Sequence, residues 1–426
     1  MSFDIPHSEP KRIAIIGGGI SGLAAAYLLS TRCSVTLFEA GQKLGGHART
    51  IHAGRNGNQP VDTGFIVFNK VNYPHLTKMF EHLDVPIIKS DMSFGATIDD
   101  GRVEYGLATL GALFAQKRNL LRPGFARMIR DIGHFNSQAE KLATDDSATI
   151  GELMDDLRVG EWFRRFYLLP LCGAIWSTPP SKIRDFPAHT LVQFFRNHAL
   201  LSATGQHQWW TVKGGSREYV SRLEHHLRAR GVALRTGAPV SNVVRKEGGV
   251  TIQTSAQAPE QFDEVIFACH SDQALKLLQN PTPDEIAALS AIRFQDNEVI
   301  LHRDETQMPL RRSVWSSWVY RANSTKDEPK IGVTYWMNRL QAIPENDPLF
   351  VSLNPLKPVP DELIYDQKTF RHPVFDGAAL KAQHALKSIQ GQNRTWFAGA
   401  YTRHGFHEDG FASAVRIADA MEMQTA

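Results

Sequence analysis

The chain has 426 residues, 42% of them hydrophobic and 21% charged, with a formal net charge of +3. That length suggests about two domains of roughly 100 to 200 residues each, and so small a charge excess excludes the basic footprint of a nucleic-acid-binding protein. No run approaches the roughly 18 consecutive apolar residues of a spanning helix, and the polar opening MSFDIPHSEPKR lacks a signal peptide's apolar core. The three cysteines, Cys33, Cys172 and Cys269, lie far apart. They fit a reducing compartment, so a cytoplasmic protein with no metal ligands is expected.

The first predicted strand is RIAII (12–16), apolar and β-branched as in a buried parallel sheet. It runs into Gly17-x-Gly19-x-x-Gly22 and then the helix formers LAAAYLL, with Ile20 and Ser21 opening the helix. In this pattern Gly17 permits a tight turn, Gly19 lets the backbone approach a pyrophosphate, and Gly22 lets the helix pack close to the strand. The anion then sits at the helix N-terminus, where free N–H groups and the dipole favour it. A second strand, SVTLFE, ends in Glu39 and Ala40, at the spacing where an acid accepts hydrogen bonds from an adenosine ribose. Together these features predict a Rossmann-type dinucleotide site, in which NAD and FAD are both accommodated.

The residues after Glu39 favour FAD. A second glycine pair, Gly45 and Gly46, comes six and seven residues beyond it. The stretch resembles the extended fingerprint of the flavin amine oxidase and phytoene desaturase superfamily, in which this loop covers the FAD pyrophosphate. In that superfamily an Arg often follows the pair directly. Here His47 does, and the resemblance assigns the phosphate contact to Arg49 instead. PVDTGFIVFN (60–69) resembles the segment alongside the flavin ring, with Thr63, Gly64 and Phe65 as its contacts. WWTVKGGSREYVSRLEHHL resembles the return of the chain to the FAD domain, and Val240 matches a backbone contact to adenine. RTWFAGAYTRHGFHEDGFASAVRIADAM resembles the closing FAD motif, with Gly399 and Ala400 before the loop and Asp409, Gly410 and Phe411 opening a helix aimed at the flavin pyrimidine. Ala400 stands where many relatives place an acid.

The blocks VDTGFIVFN, NHALL, TVKGGSREYV, LHRDE and GFHEDG further resemble a bacterial subgroup of NAD/FAD-binding, amine-oxidase-like proteins. That subgroup is associated with cyclopropane-fatty-acid-synthase-like methyltransferases and modified fatty acids. The resemblance implies an α/β fold: a discontinuous, GR2-like, Rossmann-type FAD-binding domain from 1–70, 210–280 and 385–426, with an α+β substrate-binding domain from 71–209 and 281–384. The first substrate segment reads as mainly helical, as in YPHLTKMFEHL and GELMDDLRVGEWFRRFYLL. The second reads as strands, as in NEVILHRDE, SVWSSWVYR and GVTYWMN.

Flavin performs the electron chemistry in such proteins, so the chain supplies positioning and electrostatics. Asn297 falls near the position where amine oxidases hold a lysine and a water, and an amide is a poor base. Phe406 falls where relatives place one wall of an aromatic cage. His407 and Glu408 open the last helix, where they either transfer protons or cap; for Asp409, capping and flavin positioning are expected. Trp176, Trp209 and Trp210 read as core or pocket wall.

Five cations, Lys117, Arg118, Arg122, Arg127 and Arg130, alternate with Leu120, Leu121, Phe125, Met128 and Ile129. This basic amphipathic stretch is either a solvated helix face or a peripheral contact with an anionic membrane. The expected reaction is hydride transfer from a hydrophobic substrate, a fatty acyl or phospholipid acyl chain, to flavin N5. Amine oxidation with release of hydrogen peroxide and redox-neutral isomerisation of a fatty acid are the alternatives. No nucleic-acid partner is expected, and the sequence specifies no oligomeric state.

Overall fold

A computed structural model describes residues 9–143, 148–176, 180–197, 201, 207–255, 257–323 and 331–423. Residues 198–200 of NHALL and the side chain of Trp176 lie outside the described residues. Two sheets organise the chain. The first has five parallel strands in the order Ala233–Arg235, Ser34–Phe38, Arg12–Ile16, Glu264–Phe267, Thr395–Phe397. Its central strand is apolar from Ile13 onward because both faces are covered: Ile13 and Ile15 join the core beneath the helices Ile20–Leu29 and His407–Met423, while Ala14 and Ile16 join the core on the opposite face. This is the doubly covered sheet of a dinucleotide-binding fold, and the α/β class read from the sequence is the one observed.

The second sheet has seven strands in the order Ile364–Pro373, Phe294–His302, Phe350–Leu353, Ile331–Trp336, Trp318–Ala322, Phe94–Ile98, Val103–Gly106. Neighbours are antiparallel except Trp318–Ala322 against Phe94–Ile98, which run parallel. Helices Pro123–Leu142, Leu169–Trp176 and Ala188–Asn197 share one core with Ala96, Tyr105 and Tyr320 of this sheet.

The structure adds local detail to these readings. The stretch 71–209 is mainly helical, but Ile87–Ser90, Phe94–Ile98 and Val103–Gly106 are strands, and the last two form a hairpin closed by Asp99, Asp100 and Gly101, all at positive φ. Asp-Asp-Gly is turn chemistry of the kind that favours a tight hairpin. GELMDDLRVGEWFRRFYLL is helical in several pieces. Ile150–Asp156 stops before Arg158, at φ +50°, and the next helix starts after Gly160, leaving Glu161–Phe163, a π-helical turn Arg164–Leu168 and Leu169–Trp176. In SVWSSWVYR the strand begins only at Trp318, after a 3-10 turn Arg312–Val314.

Candidate active site

The two sheets enclose a cavity of about 1880 Å³ that runs from the glycine loop Gly17–Gly19 to Phe94 and Phe194. Small-molecule pockets typically occupy about 300 to 1,000 Å³, so there is room for a dinucleotide and a second molecule.

At one end the glycines have three different local reasons. Gly17 has φ +112°, and a Cβ there would stand 2.7 Å from the Ala268 carbonyl oxygen. A Cβ on Gly22 would stand 1.9 Å from the Gly17 carbonyl oxygen, which is the close strand–helix approach the motif requires. Gly19 differs: its backbone is extended (φ −76°, ψ −174°), and a Cβ there would meet nothing within 4 Å. The space beside Gly19 is open cavity at the start of helix Ile20–Leu29, whose Ile20 and Ser21 also line it. A side chain at Gly19 would fill a cradle that fits a pyrophosphate.

The Glu39 carboxylate accepts the Gly18 and Gly41 N–H groups, each at 2.7 Å, and faces the cavity. Gly45 and Gly46 lie directly over the loop. The Gly45 N–H donates to the Gly18 carbonyl at 2.8 Å, and a Cβ on Gly46 would stand 3.1 Å from the Gly19 Cα. His47, Thr63, Gly64 and Phe65 continue the same wall, joined by Phe65 N–H donating to the His47 carbonyl at 2.8 Å. A Cβ on Gly64 would stand 2.1 Å from that carbonyl oxygen, so this position admits only glycine. Gly399 and Ala400 line the opposite side, with the Gly399 N–H donating to the Ser413 hydroxyl at 2.9 Å.

Arg49 borders the cavity, with its guanidinium held bidentately by Asp366, at 2.6 and 2.9 Å. Several other expected contacts are placed elsewhere. Ala40 is exposed and Val240 packs against the core behind the first sheet; neither borders the cavity, whereas Thr236 does. Phe411 is buried against His75, and Gly410 serves packing, since a Cβ there would stand 2.8 Å from Ile20 and from Ser21. Asn297 is fully buried within the second sheet, in hydrogen-bond contact with Asn354 and His372, and does not border the cavity.

Of the two candidate proton carriers, neither is arranged to transfer a proton. Glu408 accepts the His75 and Leu76 N–H groups at 2.9 and 3.0 Å, so it caps the helix Pro74–His82 and lies outside the cavity wall. Asp409 accepts the Phe406 N–H at 3.0 Å at the start of its own helix, again as a cap. His407 does border the cavity, but its ring stacks on Phe65 (centroids 4.0 Å) and its Nε2 is 2.6 Å from the Tyr219 hydroxyl. Burial pushes its pKa down to about 3, so the imidazole is neutral and holds Phe65 in place.

Burial raises Glu408 from 4.5 to about 7, opposed by its two backbone hydrogen bonds. A raised carboxyl contributes stability below its unfolded pKa and loses it as pH rises through the folded value. Glu408→Gln does not titrate, so it is expected to melt well below wild type near pH 5 and to close that gap by about pH 8. Thermal unfolding of both proteins at the two pH values checks this; a gap independent of pH would refute the shifted carboxyl.

At the far end of the cavity Phe94, Ile132, Leu171, Ile175, Phe194 and Phe406 form an apolar stretch of wall between the second sheet and its helices, with Asn136 and Tyr167 also in the lining, and the Phe406 ring stacks on Phe194 with centroids 5.0 Å apart. The sequence offered Phe406 but not its partner. Phe194 reads as an ordinary apolar position on an amphipathic helix, and nothing in its periodicity shows that it faces a cavity. Asp62 likewise gives no signal of its own in the sequence. Its carboxylate accepts the Ser216 N–H (2.8 Å), the Ser216 hydroxyl (2.7 Å), the Thr50 hydroxyl (2.6 Å) and the Gln341 amide (2.9 Å), and its own N–H donates to Gln341. It thereby ties the Thr63–Phe65 wall to the strand Thr50–Ala53, to the start of helix Arg217–Ala229 and to the end of helix Met337–Leu340.

A parallel sheet with a glycine loop, a strand-end acid and a cavity running on from them defines a protein of the dinucleotide-binding class. The model of the family described as flavin containing amine oxidoreductase matches residues 20–317, and the chain belongs to that family. It is an FAD-dependent oxidoreductase. It is 25% identical over 318 residues to coproporphyrinogen III oxidase of Mycobacterium leprae (strain TN), a match covering 68% of this chain and 66%, about two thirds, of that protein. In fold it is similar to the crystal structure of a CLA-producing fatty acid isomerase from P. acnes, with a TM-score of 0.69 and 14% identity over 98% of this chain and 99% of that one. It is similar in the same way to cyclohexylamine oxidase from Brevibacterium oxydans IH-35A, with a TM-score of 0.69 and 16% identity over 97% and 100%.

Proposed function

We propose that this protein dehydrogenates an acyl chain of a fatty acid or phospholipid. The observation that carries the reading is the apolar stretch of wall formed by Phe94, Ile132, Leu171, Ile175, Phe194 and Phe406, which suits an aliphatic chain. When bound, FAD would supply the two-electron acceptor: one acyl hydrogen would leave as hydride, and the neighbouring one as a proton released to solvent through the open cavity. Gly19, Ile20 and Ser21 would hold its pyrophosphate and Glu39 its adenosine ribose, with Gly45 and Gly46 over it and Thr63, Gly64 and Phe65 alongside the flavin. The chain's further contribution is to hold the acyl C–H at the end of that wall. The neutral His407, fixed by Tyr219, keeps Phe65 in position without moving a proton.

The test is a substrate panel with the purified holoenzyme: detergent-dispersed lipids with unsaturated or methyl-branched chains, porphyrinogens, and polyamines or aryl amines, with products read by mass spectrometry. The expected result is an acyl chain short of two hydrogens. Turnover of a porphyrinogen or an amine with the acyl chains intact would overturn the reading. An acyl chain of unchanged mass with a displaced double bond would replace dehydrogenation by isomerisation.

A further inference from the structure

Nine large hydrophobic residues stand exposed among the described residues, and five of them gather at one place: Leu107 (38%), Leu110 (75%), Leu120 (62%), Leu121 (86%) and Leu310 (78%). Scattered exposed leucines are ordinary, but a contiguous group is not. They are held together by buried amides. Gln116 accepts the Glu104 N–H and donates to the Gly101 carbonyl, each at 3.0 Å, and Asn119 donates to the Glu104 carbonyl at 3.0 Å. The strap 107–122 is therefore pinned to the hairpin of the second sheet. The Leu310 N–H donates to the Glu104 carboxylate at 2.7 Å, and a Cβ on Gly101 would stand 2.6 Å from Leu310. Leu110–Leu113 packs on Arg312–Val314, which follows Leu310.

The charge around these leucines is positive. Lys117 is exposed, and Arg118 and Arg122 donate to the carbonyls of Gly101 and Arg102, which orders the two guanidinium groups without neutralising them. The nearby acids are already matched: Asp99 to Arg102, Asp100 to Lys357 and Arg321, and buried Glu104 to Arg311. Leu107 is at once part of the exposed group and, with Ala108, part of the cavity wall.

We infer that Leu110, Leu120, Leu121 and Leu310, within the cations Lys117, Arg118 and Arg122, form a docking surface for an anionic lipid bilayer, and that an acyl chain passes from the bilayer into the cavity beside Leu107. The inference rests on the acyl-chain reading of the cavity. It differs from an amphipathic helix lying on a membrane, because Pro123–Leu142 turns Phe125, Met128 and Phe135 into the protein core and Arg127 and Arg130 pair with Asp131. Insertion of the leucines supplies the apolar attraction, and the cations add electrostatic attraction to an anionic surface.

The experiment is cosedimentation of the holoenzyme with vesicles of phosphatidylcholine, with and without phosphatidylglycerol, for wild type, Leu120→Gln/Leu121→Gln and Lys117→Gln. Wild type is expected to bind the anionic vesicles, less so as salt rises, and only weakly to neutral ones. The double variant is expected to bind at least tenfold more weakly and Lys117→Gln severalfold more weakly, while turnover of detergent-dispersed acyl substrate stays unchanged. Equal binding by wild type and the double variant, or equal binding to neutral and anionic vesicles, overturns the inference. A wild-type dimer that does not bind vesicles and that the double variant splits also overturns it, by assigning the surface to a second copy of the chain. Leucine-dependent vesicle binding with no acyl turnover in detergent supports the surface and refutes the acyl substrate.

Discussion

Gly19→Val is expected to fold normally and to purify without flavin. The backbone there is already extended, a conformation valine adopts freely, and the added Cβ meets no atom within 4 Å. The apoprotein's stability should therefore stay within about 0.5 kcal/mol of the wild-type apoprotein. The side chain would instead occupy the cradle at the helix start, where an anion has to approach the backbone to within hydrogen-bond distance. FAD affinity should fall at least a hundredfold, about 2.7 kcal/mol. Gly22→Ala is the counterpart. Its Cβ would stand 1.9 Å from the Gly17 carbonyl oxygen, so strand and helix must separate, and overpacking of this kind costs about 1 to 3 kcal/mol or more. Urea unfolding of each apoprotein and titration with FAD separate the two effects: one variant loses ligand without losing fold, the other loses fold first. Tight flavin binding by Gly19→Val would show that the cradle is not the cofactor's.

The second large effect is expected at Asp62. This carboxylate is fully buried, and burial pushes it up to about 6 against the opposing hydrogen bonds from Thr50 and Ser216. Asp62→Ala strands the Ser216 N–H and the Gln341 amide, both buried donors that cannot rotate to water, whereas the Thr50 and Ser216 hydroxyls can find other acceptors. An abandoned buried donor costs about 1 to 3 kcal/mol, so a loss of about 3 kcal/mol or more is expected. Because the same carboxylate fixes the strand that continues into Thr63–Phe65, FAD affinity should fall with stability. Asp62→Asn keeps the volume but turns an amide N–H₂ towards donors, and should fall between wild type and Asp62→Ala. Denaturant unfolding with and without FAD reads both quantities. A stable Asp62→Ala protein with unchanged flavin affinity would show that Gln341 and Ser216 are held by other means.

What the sequence made legible is what local physics alone decides. RIAII, three spaced glycines and a strand-end glutamate lie within 28 residues, and each answers a need set by its immediate neighbours: a turn, an anion, a packed helix, a ribose. The cofactor end of the cavity follows from them. The substrate end does not, because its wall brings together residues from distant parts of the chain. Phe94 lies on a strand, Ile132 and Phe194 on separate helices, and Phe406 before a fourth element. Periodicity marks such residues as buried without saying whether a neighbour or a cavity covers them.

Glu408 fails for a related reason. It stands at the start of one helix, yet the N–H groups it accepts belong to another helix, 333 and 332 residues away. A sequence shows which helix a residue begins, not which helix it caps across space. Asn297 and His302 are five positions apart, so simple alternation puts them on opposite faces. The irregularity opposite Leu301 and His302 lies on the partner strand, at Tyr365, so the alternation along Phe294–His302 is kept, and both side chains are buried. The hairpin at Asp99–Gly101 was readable in principle from its turn residues, since three successive positive φ values fall on Asp, Asp and Gly.

The most direct test of an acyl-chain oxidoreductase is the visible absorbance of the purified holoenzyme, kept free of oxygen, as dispersed phospholipids with unsaturated or methyl-branched chains are added. Electrons taken from the acyl chain have no other acceptor under these conditions, so the oxidised flavin band is expected to bleach in proportion to chain consumed and to return when air is admitted. A band that persists while the same protein bleaches with a porphyrinogen or an amine would contradict the assignment of the apolar stretch of wall to an acyl chain.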